Sequence, residues 1–353
     1  MKESFYSWNE YSFKFTQKAQ GINISENVIL ELLLYAENLN FKKVPIIYDI
    51  KHLSYLTEYR EEYILRSIKR PQNFYRTFEI AKRNGNKRKI TEPLPGLKSI
   101  QYWILNNIIK TVPLNKFNNA YSKGKSIITN AKYHTKQRQI LNLDIEKFFD
   151  NITFDLVFVF FKNLGYNAVV ANCLTSLCTL NGGLPQGSPS SPYLSSILTS
   201  EIDDKLFAYC RSYNLRYSRY ADDISISGNF HPGTIISGVR GILKQLDFNL
   251  NERKTKVKQR HQQQIVTGIV VNQALSIRKK ELRDIRQIMY YIKKYGIESH
   301  VIKIEVNKSN YIEHLLGRVN FFLAVKKNNP DLLDYKEYLI TLLKQLRSID
   351  SNL

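Results

Sequence analysis

Three carboxylates are the residues on which chemistry could be built. Asp222 and Asp223 are adjacent in Arg216-Tyr217-Ser218-Arg219-Tyr220-Ala221-Asp222-Asp223-Ile224-Ser225-Ile226-Ser227, and Asp144 closes Gln139-Ile140-Leu141-Asn142-Leu143-Asp144. Like charges side by side repel unless a cation neutralises them. An Asp pair alone is ordinary turn chemistry, because Asp tolerates the backbone angles of tight turns. The third carboxylate, at the end of a second strand, lowers the weight of that reading. Three acids from neighbouring strand ends could hold two divalent cations roughly 4 Å apart, the clamp used for in-line phosphoryl transfer. Magnesium suits such a site, since it takes a few carboxylates plus substrate phosphates rather than an all-protein cage.

The elements that must position these acids follow from local pattern. The Asp222-Asp223 stretch reads as strand, tight turn, strand, with Ile224 and Ile226 alternating against Ser225 and Ser227 in the period of a half-buried strand. Asp144 leads through Ile145-Glu146-Lys147-Phe148-Phe149 into a helical run that includes 157–161. Between the two carboxylate strands, residues 182–192 form a loop by composition, whose small residues permit close backbone approach, and 193–207 follow as a helix pattern. Upstream, 74–93 read as a hairpin turning at Asn84-Gly85-Asn86. Five basic residues and no acid lie between Ile80 and Thr91. This is either an edge hairpin kept soluble by lysines or a basic finger reaching for phosphates, with Arg88 suited to bidentate contact.

The flanking regions carry less chemistry. Residues 1–70 look mainly helical, Ser25-Glu26 being a helix start. Lys123-Gly124-Lys125-Ser126 lacks the second glycine and the lead-in strand of a nucleotide-triphosphatase loop and is not read as one. His134 taken alone reads as a satisfied core or surface histidine. From Arg278 the chain is helical, with Leu282, Ile285, Ile288 and Ile292 forming an apolar stripe and Arg283, Arg286, Lys293 and Lys294 largely off it.

Composition bounds the partners. The 353 residues include 52 Lys and Arg against 31 Asp and Glu, a formal net charge of +21. Such a chain attracts a polyanion, most economically nucleic acid. Residues 251–310 alone hold 14 basic and 5 acidic residues, which fits a phosphate backbone. No apolar stretch of about 18 residues and no secretory start point to a membrane. The three cysteines form no metal-ligand spacing and are expected as reduced thiols of a cytoplasmic protein.

In this order the segments resemble those of reverse transcriptases. Leu143-Asp144-Ile145-Glu146-Lys147-Phe148-Phe149, Leu184-Pro185-Gln186-Gly187-Ser188-Pro189 and Tyr220-Ala221-Asp222-Asp223 resemble that family's motifs A, B and C. Arg88 with Ile90 and Pro93 resembles the fingers motif before them, and Lys254-Thr255 the lysine-bearing motif after. Within the family the chain is similar to the bacterial retron type, because Asn130-Ala131-Lys132-Tyr133-His134 fits the retron Asn-Ala-x-x-His element and Val266-Thr267-Gly268 the Val-Thr-Gly element. The resemblance spans 76–268.

The resemblance implies an α+β right-hand polymerase: a helical N-terminal extension at 1–70, fingers at 71–135, an antiparallel-sheet palm at 136–275 and a helical thumb at 276–353. Asp144 and Asp222 would bridge two magnesium ions, with the carbonyl of Ile145 completing one shell and Asp223 as the weaker ligand. Lys82 and Arg88 would hold the triphosphate, Gln186 and Gly187 would shape the floor beside templating base and primer, and Lys254 would donate a proton to pyrophosphate. Phe149 would lie beneath C2′ of the incoming sugar and exclude a 2′-hydroxyl, with Phe148 as the alternative. Asn130, Ala131, His134, Val266, Thr267 and Gly268, with Arg283 and Arg286 of the basic thumb, would recognise RNA through shape and phosphates, since an A-form major groove is too narrow to read. The implied partners are deoxynucleotides, a structured non-coding RNA acting as template and primer, the RNA–DNA product branched from a 2′-hydroxyl, and an effector protein in anti-phage defence. Three alternatives stand beside this: another defence-associated or group II intron-like reverse transcriptase, a catalytically silent RNA-binding protein on the same scaffold, and a two-metal phosphatase or nuclease.

Overall fold

The computed structural model describes residues 7–81, 85, 87–303 and 310–350, the side chains of 347–350 excepted. The chain opens with four helices, α1 (Trp8–Gly21), α2 (Glu26–Phe41), α3 (Ile50–Thr57) and α4 (Glu61–Lys69). A hairpin of β1 (Tyr75–Ala81) and β2 (Lys87–Pro93) follows, then α5 (Pro95–Asn107), α6 (Ile127–Tyr133) and β3 (Gln139–Asp144). Next come α7 (Phe154–Asn163), α8 (Ala168–Cys178), α9 (Ser191–Leu198) and α10 (Ser200–Ser212). β4 (Arg216–Tyr220), β5 (Asp223–Gly228), α11 (Pro232–Lys244), β6 (Lys256–Gln259), β7 (Ile265–Val266) and β8 (Ile269–Val270) lead to α12 (Lys279–Tyr295), α13 (Ile297–Lys303), α14 (Tyr311–Val325) and α15 (Pro330–Asp350).

Local chemistry accounts for many of these starts. Asp49 accepts the His52 N–H at 2.7 Å ahead of α3, and Asn167 accepts the Val170 N–H at 2.9 Å ahead of α8, each satisfying a donor that the first turn leaves free. Ser126 and Thr129 close a reciprocal capping box on α6. The helix expected over 193–207 is instead two, broken at Thr199. Ser195 and Ser196 donate back to the Pro192 carbonyl, and Thr199 donates to that of Ser195 at 2.6 Å. Hydroxyls bonded in this way compete with the helical ladder and bend it.

The chain forms two compact units that interleave along the sequence, and the division falls within α10 and α11. One unit holds Met1–Tyr121, Ile145–Leu206 and Val239–Asn251. Its helices bury Leu39, Leu53, Ile64, Leu97, Ile100 and Phe161. Asn167 donates to the Tyr48 carbonyl and the Tyr166 hydroxyl to that of Pro45, fastening the start of α8 to the turn before α3.

The other unit holds Ser122–Asp144, Phe207–Gly238 and Glu252–Leu353. Its centre is an antiparallel sheet in the order β4-β5-β3-β6. Ala131 of α6 packs with Ile140 of β3 and with Val266, Ile269 and Val271 of the β7–β8 hairpin, and Phe321 and Val325 of α14 lean on this cluster. A separate apolar core joins α12, α14 and α15 through Ile285, Met289, Leu315, Val319, Phe322 and Leu339. No helix among the described residues is long and apolar enough to cross a membrane.

Candidate active site

Strand register brings the carboxylates together. β3 and β5 are antiparallel neighbours in which Asp144 lies directly opposite Asp223, a placement that puts paired β-carbons about 4.5–5.5 Å apart. Tyr220 pairs with Asp223 across β4–β5, so Ala221 and Asp222 make a two-residue turn. Ala221 takes φ +57°, a conformation usually left to glycine. The fully buried Arg219 donates from Nη1 to the Ala221 carbonyl at 2.9 Å and holds that turn. The sequence alone assigns Arg219 no role.

Lys254, in the 3-10 turn Glu252–Lys254, donates from Nζ to Asp144 Oδ2 at 2.7 Å. Asp144 is buried while Lys254 stays open to solvent. Burial lowers the Lys254 pKa, but the bond to Asp144 and the fields of Asp144, Asp222 and Asp223 outweigh it and leave the pKa raised. The Asp223 carboxyl is pushed up to about 6, first by desolvation, then by Asp222 and Asp144, with Lys254 opposing. Asp223 itself stands at the exposed start of β5, so the protein beneath desolvates it while solvent above screens it. Desolvation and the field of the neighbouring carboxylates act in the same direction.

That field tests whether the residues fit a divalent cation. Among the described residues no group of three His, Cys, Asp or Glu side chains forms a ready metal cage. The donor set is instead a partial one, two facing carboxylates and a third at the turn, one of them raised by desolvation and by the other two. This suits a hard cation that takes the rest of its shell from water and substrate phosphates.

A second group of expected site residues lies in the other unit. The Thr91 N–H of β2 donates to the Gln186 carbonyl at 2.7 Å, and Arg88 donates from Nε to Gln186 Oε1 at 3.0 Å. Gly187 has φ +137°, and a β-carbon there would stand 2.6 Å from the Thr91 carbonyl oxygen. Glycine is therefore required by backbone angle and by space. Ser188 donates to Gln101 Oε1 at 2.7 Å, and Gln101 donates to the Leu177 carbonyl, so a buried α5 amide that the sequence did not single out anchors the loop. Lys89, Thr91, Asp150, Asn181, Pro185 and Gln186 border a cavity of about 300 Å³. The Phe149 carbonyl accepts the Leu184 N–H at 3.3 Å. Phe149 keeps 9% of its surface accessible, against 3% for Phe148, which packs on Phe248. Ile145 is buried and bridges to Leu250. Lys82 lies outside the described residues.

Residues 80–309 match the family described as reverse transcriptase (RNA-dependent DNA polymerase). The chain is 30% identical over 306 residues to the Retron Ec86 reverse transcriptase of Escherichia coli, covering 83% of this chain and 89% of that protein. The chain belongs to the retron-type reverse transcriptases. The Retron Ec83 enzyme of the same species is 27% identical over 79% of this chain and 91% of its own. The Retron Mx65 reverse transcriptase of Myxococcus xanthus is 30% identical over 66% of this chain, which covers 60% of that longer protein. This reverse transcriptase is an RNA-directed DNA polymerase of the α+β right-hand class, with a helical N-terminal extension.

The residues expected to touch RNA divide sharply in this retron-type enzyme. Asn130, Ala131, His134 and Val266 are buried, at 1% exposure or less. Direct side-chain contact with RNA is therefore corrected for these four: Ala131 and Val266 are core, and the His134 ring is bonded on both nitrogens. Thr267 takes φ +45°, a strained angle for a β-branched residue, and donates from Oγ1 to the Ile127 carbonyl at 3.0 Å. Gly268, Arg283 and Arg286 are exposed, with Arg286 3.5 Å from Asp331. Ser225 and Ser227 are buried rather than half-buried: Ser227 bonds His134 at the end of α6, and Ser225 donates to Asn142 Oδ1 on β3 at 3.2 Å. The reading of His134 as a satisfied core histidine is the one its geometry matches.

Proposed function

We propose that this reverse transcriptase copies a structured non-coding RNA, which also primes synthesis, into single-stranded DNA branched from an RNA 2′-hydroxyl. The observation that carries the chemistry is the pairing of Asp144 with Asp223 across β3 and β5, with Asp222 at the adjoining turn and Lys254 on Asp144. Magnesium ions held by Asp144, Asp222 and Asp223 with the Ile145 carbonyl would supply the charge that acidifies the primer hydroxyl and neutralises the leaving pyrophosphate. Lys254 carries a proton at Nζ and, once drawn off Asp144, gives it to the pyrophosphate oxygen. Arg88, steadied by Gln186, binds the triphosphate with Lys82. Gly187 lets the loop lie against β2 so that Gln186 can serve as floor to the templating base. Phe149 meets the sugar at C2′ and disfavours a ribonucleotide by size.

Residues 1–70 then serve as extension, 71–135 as fingers, 136–275 as palm with finger insertions and 276–353 as thumb, with Gly268, Arg283 and Arg286 on the RNA side. The setting is cytoplasmic, one that buried thiols held up to about 12 at Cys173, Cys178 and Cys210 tolerate unreacted, and the enzyme acts in anti-phage defence with an effector protein. The test is the nucleic acid that co-purifies with the enzyme. A DNA strand joined through a 2′ branch to one small RNA is expected. Unbranched DNA primed from a free 3′ end, or untemplated product, would overturn the retron reading.

A further inference from the structure

The two short elements that mark the retron type, Asn130–His134 and Val266–Gly268, are packed into one assembly on the palm sheet. α6 is fixed at its start by Thr267 Oγ1 on the Ile127 carbonyl and in its middle by Ala131 against Val266 and Ile269. At its end His134 enters the sheet face that carries Asp144 and Asp223. The ring bonds Ser227 Oγ from Nδ1 and Ser218 Oγ from Nε2, each at 2.7 Å. Ser218 lies on β4 and Ser227 on β5, four residues before Asp222 and four after Asp223. One imidazole thus bonds both arms of the hairpin whose turn carries the carboxylates. Beside it, Arg216 Nη1 donates to the Tyr133 carbonyl at 2.7 Å and its guanidinium lies over the Tyr133 ring at 5.6 Å, which ties β4 to the end of α6 a second time.

We infer that His134 is a positioning residue for nucleotide addition, a clip that sets how the Asp222-Asp223 hairpin sits against β3. Each serine hydroxyl can donate or accept, so the neutral ring makes both bonds, one nitrogen donating and the other accepting. Burial, with Arg216 adding to it, lowers the His134 pKa to about 3 and keeps the ring neutral at any working pH. Register along a strand is otherwise held by side-chain pattern and turn geometry, and here the turn contains a strained Ala221. A bond to each arm removes the freedom that such a turn leaves.

The inference rests on the carboxylates acting in catalysis, and the experiment separates the two. Primer extension on an RNA template is measured for wild type, His134→Phe, His134→Gln and Asp222→Ala with Asp223→Ala, alongside RNA affinity and thermal unfolding. For His134→Phe, kcat falls by roughly 10- to 100-fold, because small misplacement of reacting groups is costly, while KM for deoxynucleotide and RNA affinity stay at wild-type values. His134→Gln, which can keep the Ser218 bond, restores part of kcat. Should His134→Phe fail to fold, Ser218→Ala with Ser227→Ala and His134→Phe removes the stranded hydroxyls and asks the same question of kcat. Unchanged kcat in a folded variant, or loss of RNA affinity with kcat retained, overturns the clip. Full activity in the Asp222, Asp223 double variant would instead overturn the carboxylate reading itself.

Discussion

Replacing Gly187 with alanine puts a methyl group where the structure has no room. The added carbon would lie 2.6 Å from the Thr91 carbonyl oxygen and 3.0 Å from its carbon, and both atoms belong to a strand backbone that cannot swing aside. Holding a side chain at φ +137° adds strain of about 1–3 kcal/mol, and overpacking adds about 1–3 kcal/mol. The loop escapes by backing off β2, which breaks the Thr91 N–H bond to Gln186, about 0.5–1.5 kcal/mol, and unseats Arg88. A loss of stability on the order of 2–4 kcal/mol is expected in urea unfolding. In variants still folded, KM for deoxynucleotide rises roughly tenfold, about 1.4 kcal/mol, with a smaller change in kcat. An alanine variant with wild-type stability and wild-type KM would refute the close approach of loop and strand.

Three other outcomes follow from the same geometry. The Asp223 carboxyl, raised from 3.8 to about 6, holds its proton in the folded state after the unfolded chain has released it. Stability of the metal-free protein therefore declines as pH rises from about 4 through about 6 and is level above. Urea unfolding of Asp223→Asn against wild type across that window should show the variant gaining, by under about 1 kcal/mol because the residue is exposed; a gap independent of pH would contradict the shared field. Phe149→Ala should raise ribonucleotide incorporation relative to deoxynucleotide, read as the ratio of kcat/KM values. Phe148→Ala should cost about 3–5 kcal/mol of stability and leave that ratio alone; the reverse pattern would move the sugar contact to Phe148. Lys254→Gln should lower kcat by roughly 100-fold or more with RNA affinity unchanged, as loss of a proton donor does.

What could be read from the sequence was what local pattern encodes. Acids at strand ends, a tight turn at the Asp222-Asp223 pair (set by register one residue earlier, at Ala221-Asp222), the β1–β2 hairpin and the helices of 279–295 and 311–325 each rest on neighbours in the chain. Burial of polar groups does not. Ser225 and Ser227 alternate with isoleucines like residues of a solvent face, yet both are buried: His134, nearly a hundred residues earlier, bonds Ser227, and Ser225 donates to Asn142 of β3. Gln101 is buried for the same kind of reason, satisfied by the distant Leu177 carbonyl, while the buried Arg219 donates to Ala221 in its own turn. Motif identity carries no direction for a side chain, so the short retron elements read as RNA contacts whichever way they face. Asn130, Ala131, His134 and Val266 are buried, whereas Gly268, Arg283 and Arg286 are exposed. The break at Thr199 leaves no mark in the hydrophobic period, because serine and threonine back-bonds depend on rotamers.

The most direct measurement is single-nucleotide addition to a primer on RNA with magnesium, comparing wild type with Asp222→Ala and Asp223→Ala combined. Wild type should add the nucleotide, and the double variant should bind template with undiminished affinity while adding none. Equal rates in the two proteins would contradict the assignment of these carboxylates to catalysis.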